Sequence, residues 1–155
     1  MAVVGPGAAD PAQVEAAEAV GGELARRGAV VVCGGLGGVM EAACRGAKAA
    51  GGTTVGILPG ADRRDANPYV DVALASGLGE GRNALVVRAA DAVVAVGGGF
   101  GTLSEIALAL RAGKPVVGIG TWELAVGGEP VEAIERVGSA EDAAEAALRA
   151  ARTAL

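Results

Sequence analysis

The sequence predicts an α/β fold, a three-layer sandwich around a central, mostly parallel sheet. Three observations predict it. Short apolar runs rich in valine, such as Ala92-Val-Val-Ala-Val96, recur along the chain, the pattern of strands buried on both faces. Segments with helical patterning separate these runs, so the chain reads as successive βαβ units with right-handed crossovers. Glycine clusters follow several of the strands. In a parallel sheet those positions lie beyond the carboxyl ends of the strands, where ligands bind.

The elements follow in order. Residues 2–4 form a first strand and Gly5-Pro-Gly7 turns the chain. Asp10 then caps, and Pro11 opens, a helix reaching about residue 27. Gly5 and Gly7 begin a GxGxxG pattern whose sixth position is Asp10, so the dinucleotide fingerprint fails. A tight turn beside a ligand is the reading that stays. Gly28 closes the helix, residues 29–33 form the second strand, and Gly34-Gly-Leu-Gly-Gly38 leads into a helix over 39–50. That many glycines exceed the needs of a bare turn, and a ligand is expected to approach Gly34, Gly35 and Gly37. Residues 53–58 form a third strand, 61–69 a polar surface loop, and 69–74 a short, weakly alternating strand. A glycine-broken stretch ending in Gly81-Arg82-Asn83 precedes a helix over 82–89.

The next stretch organises the rest. A strand at 92–96 runs into Gly97, Gly98, Gly99, Phe100 and Gly101, and Thr102-Leu-Ser-Glu105 begins a helix to about residue 112. Strand, glycine turn and helix start together aim free backbone N–H groups and the positive end of a helix dipole at an anion. Glycines admit a phosphate to the backbone because no Cβ intervenes. Thr102 and Glu105 also have the spacing of a capping box, so Glu105 reads either as a cap or as a site carboxylate. Arg82 at a helix start is electrostatically misplaced unless an anion partners it. Beyond this unit come a strand at 115–119, a loop at 120–130 carrying Trp122, a short strand at 131–137, and a closing helix to about residue 152. Ser139 and Asp142 have capping spacing at the start of that helix.

Composition bounds the function. At 155 residues, 52% hydrophobic and 20% charged, the chain is expected to be one folded domain over 1–155. A net charge of −5 argues against nucleic acid, which requires a basic face. The absence of histidine removes Ser-His and Cys-His catalysis and histidine-based metal sites, so no metal is expected. No apolar run reaches the roughly 18 residues of a membrane span and the N-terminus does not read as a signal peptide. A soluble, cytoplasmic protein with no membrane partner is therefore expected. Cys33 and Cys44 read as buried, reduced thiols. Arg63, Arg64 and Asp65 read as surface charge.

Gly98-Gly-Phe-Gly-Thr-Leu-Ser-Glu105 matches the GGxGTxxE core of the LOG family, proteins often labelled lysine decarboxylases. Gly81-Arg82-Asn83 stands where that family carries an Arg-Lys pair, and Cys33-Gly-Gly-Leu-Gly-Gly-Val-Met40 resembles its GGGxxGLM segment. The chain also resembles molybdenum-cofactor carrier proteins, and more distantly the core of the DNA-processing protein DprA. The resemblance covers roughly residues 1 to 120. It implies a Rossmann-like homodimer that binds a nucleoside 5′-monophosphate, with hydrolysis of the N-glycosidic bond in LOG enzymes. Carried over, Glu105 is the catalytic carboxylate and Arg82 its partner, while Gly98, Gly99, Gly101 and Thr102 cradle phosphate. Gly97 replaces the family proline and Asn83 the family lysine, departures that point toward the carrier-like branch. No cofactor is required by this reading; an AMP-like nucleotide or a molybdopterin-type molecule is the expected phosphorylated ligand. Loops 61–69 and 120–130 would set its identity. Trp122 has two readings, a stack on the ligand or an interface filler.

Overall fold

The computed structural model describes residues 1–153. Strands β1 (Ala2–Val4), β2 (Val31–Cys33), β3 (Thr54–Leu58), β4 (Val72–Ala75), β5 (Val93–Val96) and β6 (Val116–Ile119) join one sheet. A two-stranded hairpin of β7 (Ala125–Val126) and β8 (Glu129–Pro130) comes next, and β9 (Ile134–Arg136) then completes the sheet. The order is β4-β3-β2-β1-β5-β6-β9, and every neighbouring pair is parallel. Helices α1 (Pro11–Arg26), α2 (Val39–Ala49) and α5 (Ala140–Thr153) cover one face through Val3, Val31, Val94 and Val117. Helices α3 (Asn83–Arg88) and α4 (Phe100–Arg111) cover the other through Val4, Val32, Val93, Ala95 and Val116. Successive strand residues thus feed opposite cores, which is why the strands read as unbroken apolar runs.

The chain winds outward from β1 to β4, returns to place β5 on the other side of β1, and then winds the opposite way. The connections leaving β1 and β5 therefore diverge and open a crevice between them, the place where ligands enter such sheets. Both connections are glycine-rich: Gly5-Pro-Gly7 after β1 and Gly97–Gly101 after β5.

The start of α1 folds as the sequence predicts. Asp10 Oδ1 accepts from Gln13 N at 2.9 Å, and Gln13 Oε1 accepts from Asp10 N at 3.1 Å. Helix α1 then crosses α2 with the two backbones in contact at two helical glycines. A Cβ on Gly21 would meet the Ala43 carbonyl, and one on Gly46 the Glu18 carbonyl.

Several expected boundaries shift. The strand expected over 69–74 occupies Val72–Ala75, because Tyr69 instead gives its carbonyl to the Thr54 hydroxyl at 2.6 Å. The expected loop at 120–130 contains the β7–β8 hairpin, whose turn residues Gly127 and Gly128 have φ of 61° and 89°, the left-handed pair a tight hairpin needs. The strand expected over 131–137 is confined to Ile134–Arg136. The helix expected from Thr102 begins two residues earlier, at Phe100, after an extended Gly99. Ser139 does engage Asp142: its hydroxyl accepts from Asp142 N at 3.1 Å and donates to the carboxylate at 2.7 Å. Among the described residues, no helix is long and apolar enough to cross a membrane.

Candidate functional site

The glycine turn after β5 divides into a packed half and an open half. Gly97 has φ 67°, and a Cβ there would lie 2.6 Å from the Gln13 amide nitrogen, so the position demands glycine on both counts. A Cβ on Gly98 would lie 3.1 Å from Trp122 Nε1, which donates to the Gly99 carbonyl at 3.1 Å. Gly98 is small because an indole is seated on it. A Cβ on Gly99 would meet only Pro6 Cβ at 3.9 Å, and one on Gly101 would meet nothing within 4 Å. These two positions are open to an incoming ligand.

No side chain caps α4. Its first backbone bond in the loop-to-helix transition runs from Leu103 N to the Gly99 carbonyl at 2.9 Å, so the N–H groups of Phe100, Gly101 and Thr102 precede the helical ladder. A capping box between Thr102 and Glu105, one of the two readings of Glu105, does not form, since these residues lie one turn apart inside the helix. Thr102 is 2% exposed and its hydroxyl has no partner.

Glu105 projects from the same face of α4 and is 6% exposed. Arg82, at the junction before α3, is 8% exposed and brings its Nη1 to 3.5 Å from Glu105 Oε1. Burial lifts the Glu105 carboxyl from its ordinary 4.5 to about 7, and the Arg82 charge only partly opposes that. Arg82 Nη1 donates to Asn83 Oδ1 at 2.8 Å, and Asn83 Nδ2 donates to Ser104 Oγ at 3.0 Å. Asn83 therefore ties the arginine to α4. Arg82 Nε is buried without a partner. The guanidinium lies against Gly34, where a Cβ would come within 2.5 Å of it.

Gly5, Gly7, Arg82, Asn83, Gly99, Phe100, Gly101, Thr102 and Glu105 line one cleft of about 620 Å³, within the range of small-molecule sites. Gly34, Gly35, Gly37, Gly97 and Gly98 are not part of its lining. Gly34 admits Arg82, and Gly35, at φ 75°, packs against Leu58 and donates its N–H to Cys33 Sγ at 3.3 Å. Gly37 lies nearest the Gly7 carbonyl, and a Cβ on Gly5 would meet the Val96 carbonyl at 2.5 Å. The cleft also uses Pro6, Leu36, Met40, Pro59, Glu80 and Ser104. Pro6, Leu36, Met40 and Ser104 lie inside or beside the glycine motifs, which gave the signal for them, whereas nothing local marks Pro59 or Glu80 as cleft residues. Chemically the arrangement offers backbone donors, a guanidinium and a carboxyl that exchanges its proton near neutrality.

A profile of the SLOG cluster4 family matches residues 1–148. The chain is 44% identical over 120 residues to an uncharacterized protein of Archaeoglobus fulgidus, covering 77% of this chain and 78% of that one. Among solved structures, it resembles the molybdenum cofactor binding protein of Rippkaea orientalis at 37% identity, with a TM-score of 0.86 over 96% of this chain and 94% of that one. The molybdenum cofactor carrier protein of Chlamydomonas reinhardtii matches at 33% identity and a TM-score of 0.82, over 96% of this chain and 95% of the other. DNA processing protein A of Helicobacter pylori shares the fold, with 20% identity, a TM-score of 0.70, and coverage of 96% of this chain and 79% of that one. With a family profile spanning nearly the whole chain, and its glycine turns at the crevice between β1 and β5, the chain belongs to the SLOG cluster4 family.

Proposed function

We propose that this protein binds and carries a small phosphorylated heterocycle, a molybdopterin-type cofactor or a nucleotide, at the cleft between β1 and β5, without cleaving it. One observation carries the binding reading: the uncapped N-terminus of α4 stands beside two buried polar groups with no partner, Thr102 Oγ1 and Arg82 Nε. A buried donor left unpaired costs about 1–3 kcal/mol, and a phosphate would satisfy such donors together. Backbone N–H groups, the positive helix end and a guanidinium are the donor set that phosphate recognition uses.

The carrier reading is favoured over N-glycosidic hydrolysis on two grounds. The likeness to carrier proteins extends over nearly the whole of both chains. Glu105, the carboxylate that hydrolysis would use, is 6% exposed with Oε1 held 3.5 Å from Arg82 Nη1, which leaves little of it open to a reacting water. Asn83, in the family's lysine position, serves the framework by linking Arg82 to Ser104.

We further propose that the protein acts in a reducing cytoplasm, in keeping with its two free buried cysteines, and that it is a homodimer. Val72, Leu74 and Leu85 are 46%, 50% and 40% exposed. Val72 and Leu74 pair with Val55 and Ile57 and share the face that only α3 and α4 cover, so a second copy would bury an unusually apolar surface.

The test is to incubate the protein anaerobically with cofactor released from a molybdoenzyme, remove free ligand by gel filtration, and oxidise the retained material to its fluorescent pterin. Stoichiometric pterin in wild type, lost in Gly99→Val, is the expected result. The Gly99→Val side chain would project into the cleft with only Pro6 near it, so the variant should stay folded. No retained pterin and steady release of adenine from AMP would instead favour the hydrolase.

A further inference from the structure

We propose that Phe100, braced by Trp122, is a stacking platform for the ligand's planar ring, so that the site selects phosphorylated heterocycles over bare sugar phosphates. This inference rests on the anion-binding reading above and adds the part of the ligand that reading leaves undefined.

Phe100 is 84% exposed in a chain with a single phenylalanine, and it lines the cleft. It contributes nothing to the packing of α4, whose buried residues are Thr102, Glu105, Ile106 and Ala109. A phenyl left in water gives up the burial that normally justifies an aromatic side chain. Its position explains what it gains instead. Cα–Cβ bonds tilt toward a helix N-terminus, so the first residue of α4 leans out over the end where the phosphate would sit. One residue thus supplies a backbone donor to the anion and a ring beside it.

The ring is also held. Its centroid lies 5.9 Å from that of Trp122 at 37°, a tilted aromatic pair. Trp122 is fixed in turn by its bond to the Gly99 carbonyl and by its seat on Gly98. The indole N–H is occupied by backbone, which leaves Trp122 to act as a brace with Phe100 as the exposed step. A platform of one ring, on a chain of net charge −5, fits a single heterocycle; single-stranded nucleic acid needs successive aromatic steps in a basic groove.

Calorimetry with ribose 5-phosphate and AMP separates the parts, because the two differ by the base. Wild type is expected to bind AMP about tenfold more tightly than ribose 5-phosphate, in line with the strength of base–aromatic stacking. Phe100→Ala should erase that preference by weakening AMP to the level of ribose 5-phosphate, and Phe100→Tyr should restore it. Trp122 is the sole tryptophan, so AMP should quench its emission in wild type and ribose 5-phosphate should not. An AMP preference that survives Phe100→Ala overturns the platform and leaves the phosphate site standing. Wild type that binds neither ligand overturns the phosphate site and the platform with it.

Discussion

Glu105 and Thr102 show how the site sets stability against binding. A carboxyl whose folded pKa of about 7 exceeds its ordinary 4.5 favours the folded state fully only below the lower value, and that contribution is lost as pH rises through 7. The loss is roughly 3.5 kcal/mol, at about 1.4 kcal/mol per pKa unit. Urea unfolding at pH 5 and pH 8 should therefore show wild type losing roughly 2 to 3 kcal/mol more than Glu105→Gln over that interval. The Met1 amino group, lowered by burial, works in the opposite direction but equally in both proteins. Parallel pH profiles would mean that Glu105 ionises as an exposed acid does.

Thr102 makes the complementary case. Replacing its unpartnered buried hydroxyl with a methyl, Thr102→Val, should stabilise the ligand-free protein by about 1 kcal/mol. The same change should weaken binding of phosphorylated ligands severalfold, as read by thermal melts with and without ligand. At this scale the sequence left Glu105 open between cap and site. Two glycines ahead of Thr102 look like turn residues, so the helix start at Phe100, which removes the cap, was not legible.

Packing between elements explains glycines that the sequence left silent. In a helix interior glycine ordinarily costs about 1 kcal/mol relative to alanine, so Gly21 and Gly46 read as defects until α1 and α2 are seen to touch through them. Gly21→Ala should destabilise by about 2 kcal/mol despite its better helix propensity, because the new Cβ meets the Ala43 backbone. Its neighbour gives the control. A Cβ on Gly22 would lie 3.4 Å from the movable end of Arg26, so Gly22→Ala should be neutral or stabilising. Equal denaturant midpoints for the two variants would mean that the α1–α2 crossing does not require glycine at Gly21. By contrast, the helices and strands themselves were legible to within a few residues, since Asp10-Pro11 and the valine runs signal locally. The β7–β8 hairpin was missed because its strands have two residues each, too few to show a period.

The whole molecule places its chemistry by topology. Motif spacing located the turn after β5 and the Arg82 segment, but no spacing says that Gly5, Pro6 and Met40 meet them across the crevice. That follows only from β1 lying beside β5. The same arrangement leaves one sheet face thinly covered, and sedimentation should find twice the 14.9 kDa chain mass. Leu74→Lys with Leu85→Glu should shift the protein to monomer; an unchanged mass would place the contact elsewhere.

The most direct measurement is ultrafiltration of the protein with AMP, followed by chromatography of the retained and filtered fractions. A carrier should retain intact AMP near one per chain, with no adenine in either fraction after prolonged incubation. Accumulating adenine that disappears in Glu105→Gln would contradict it and make the cleft a phosphoribohydrolase site.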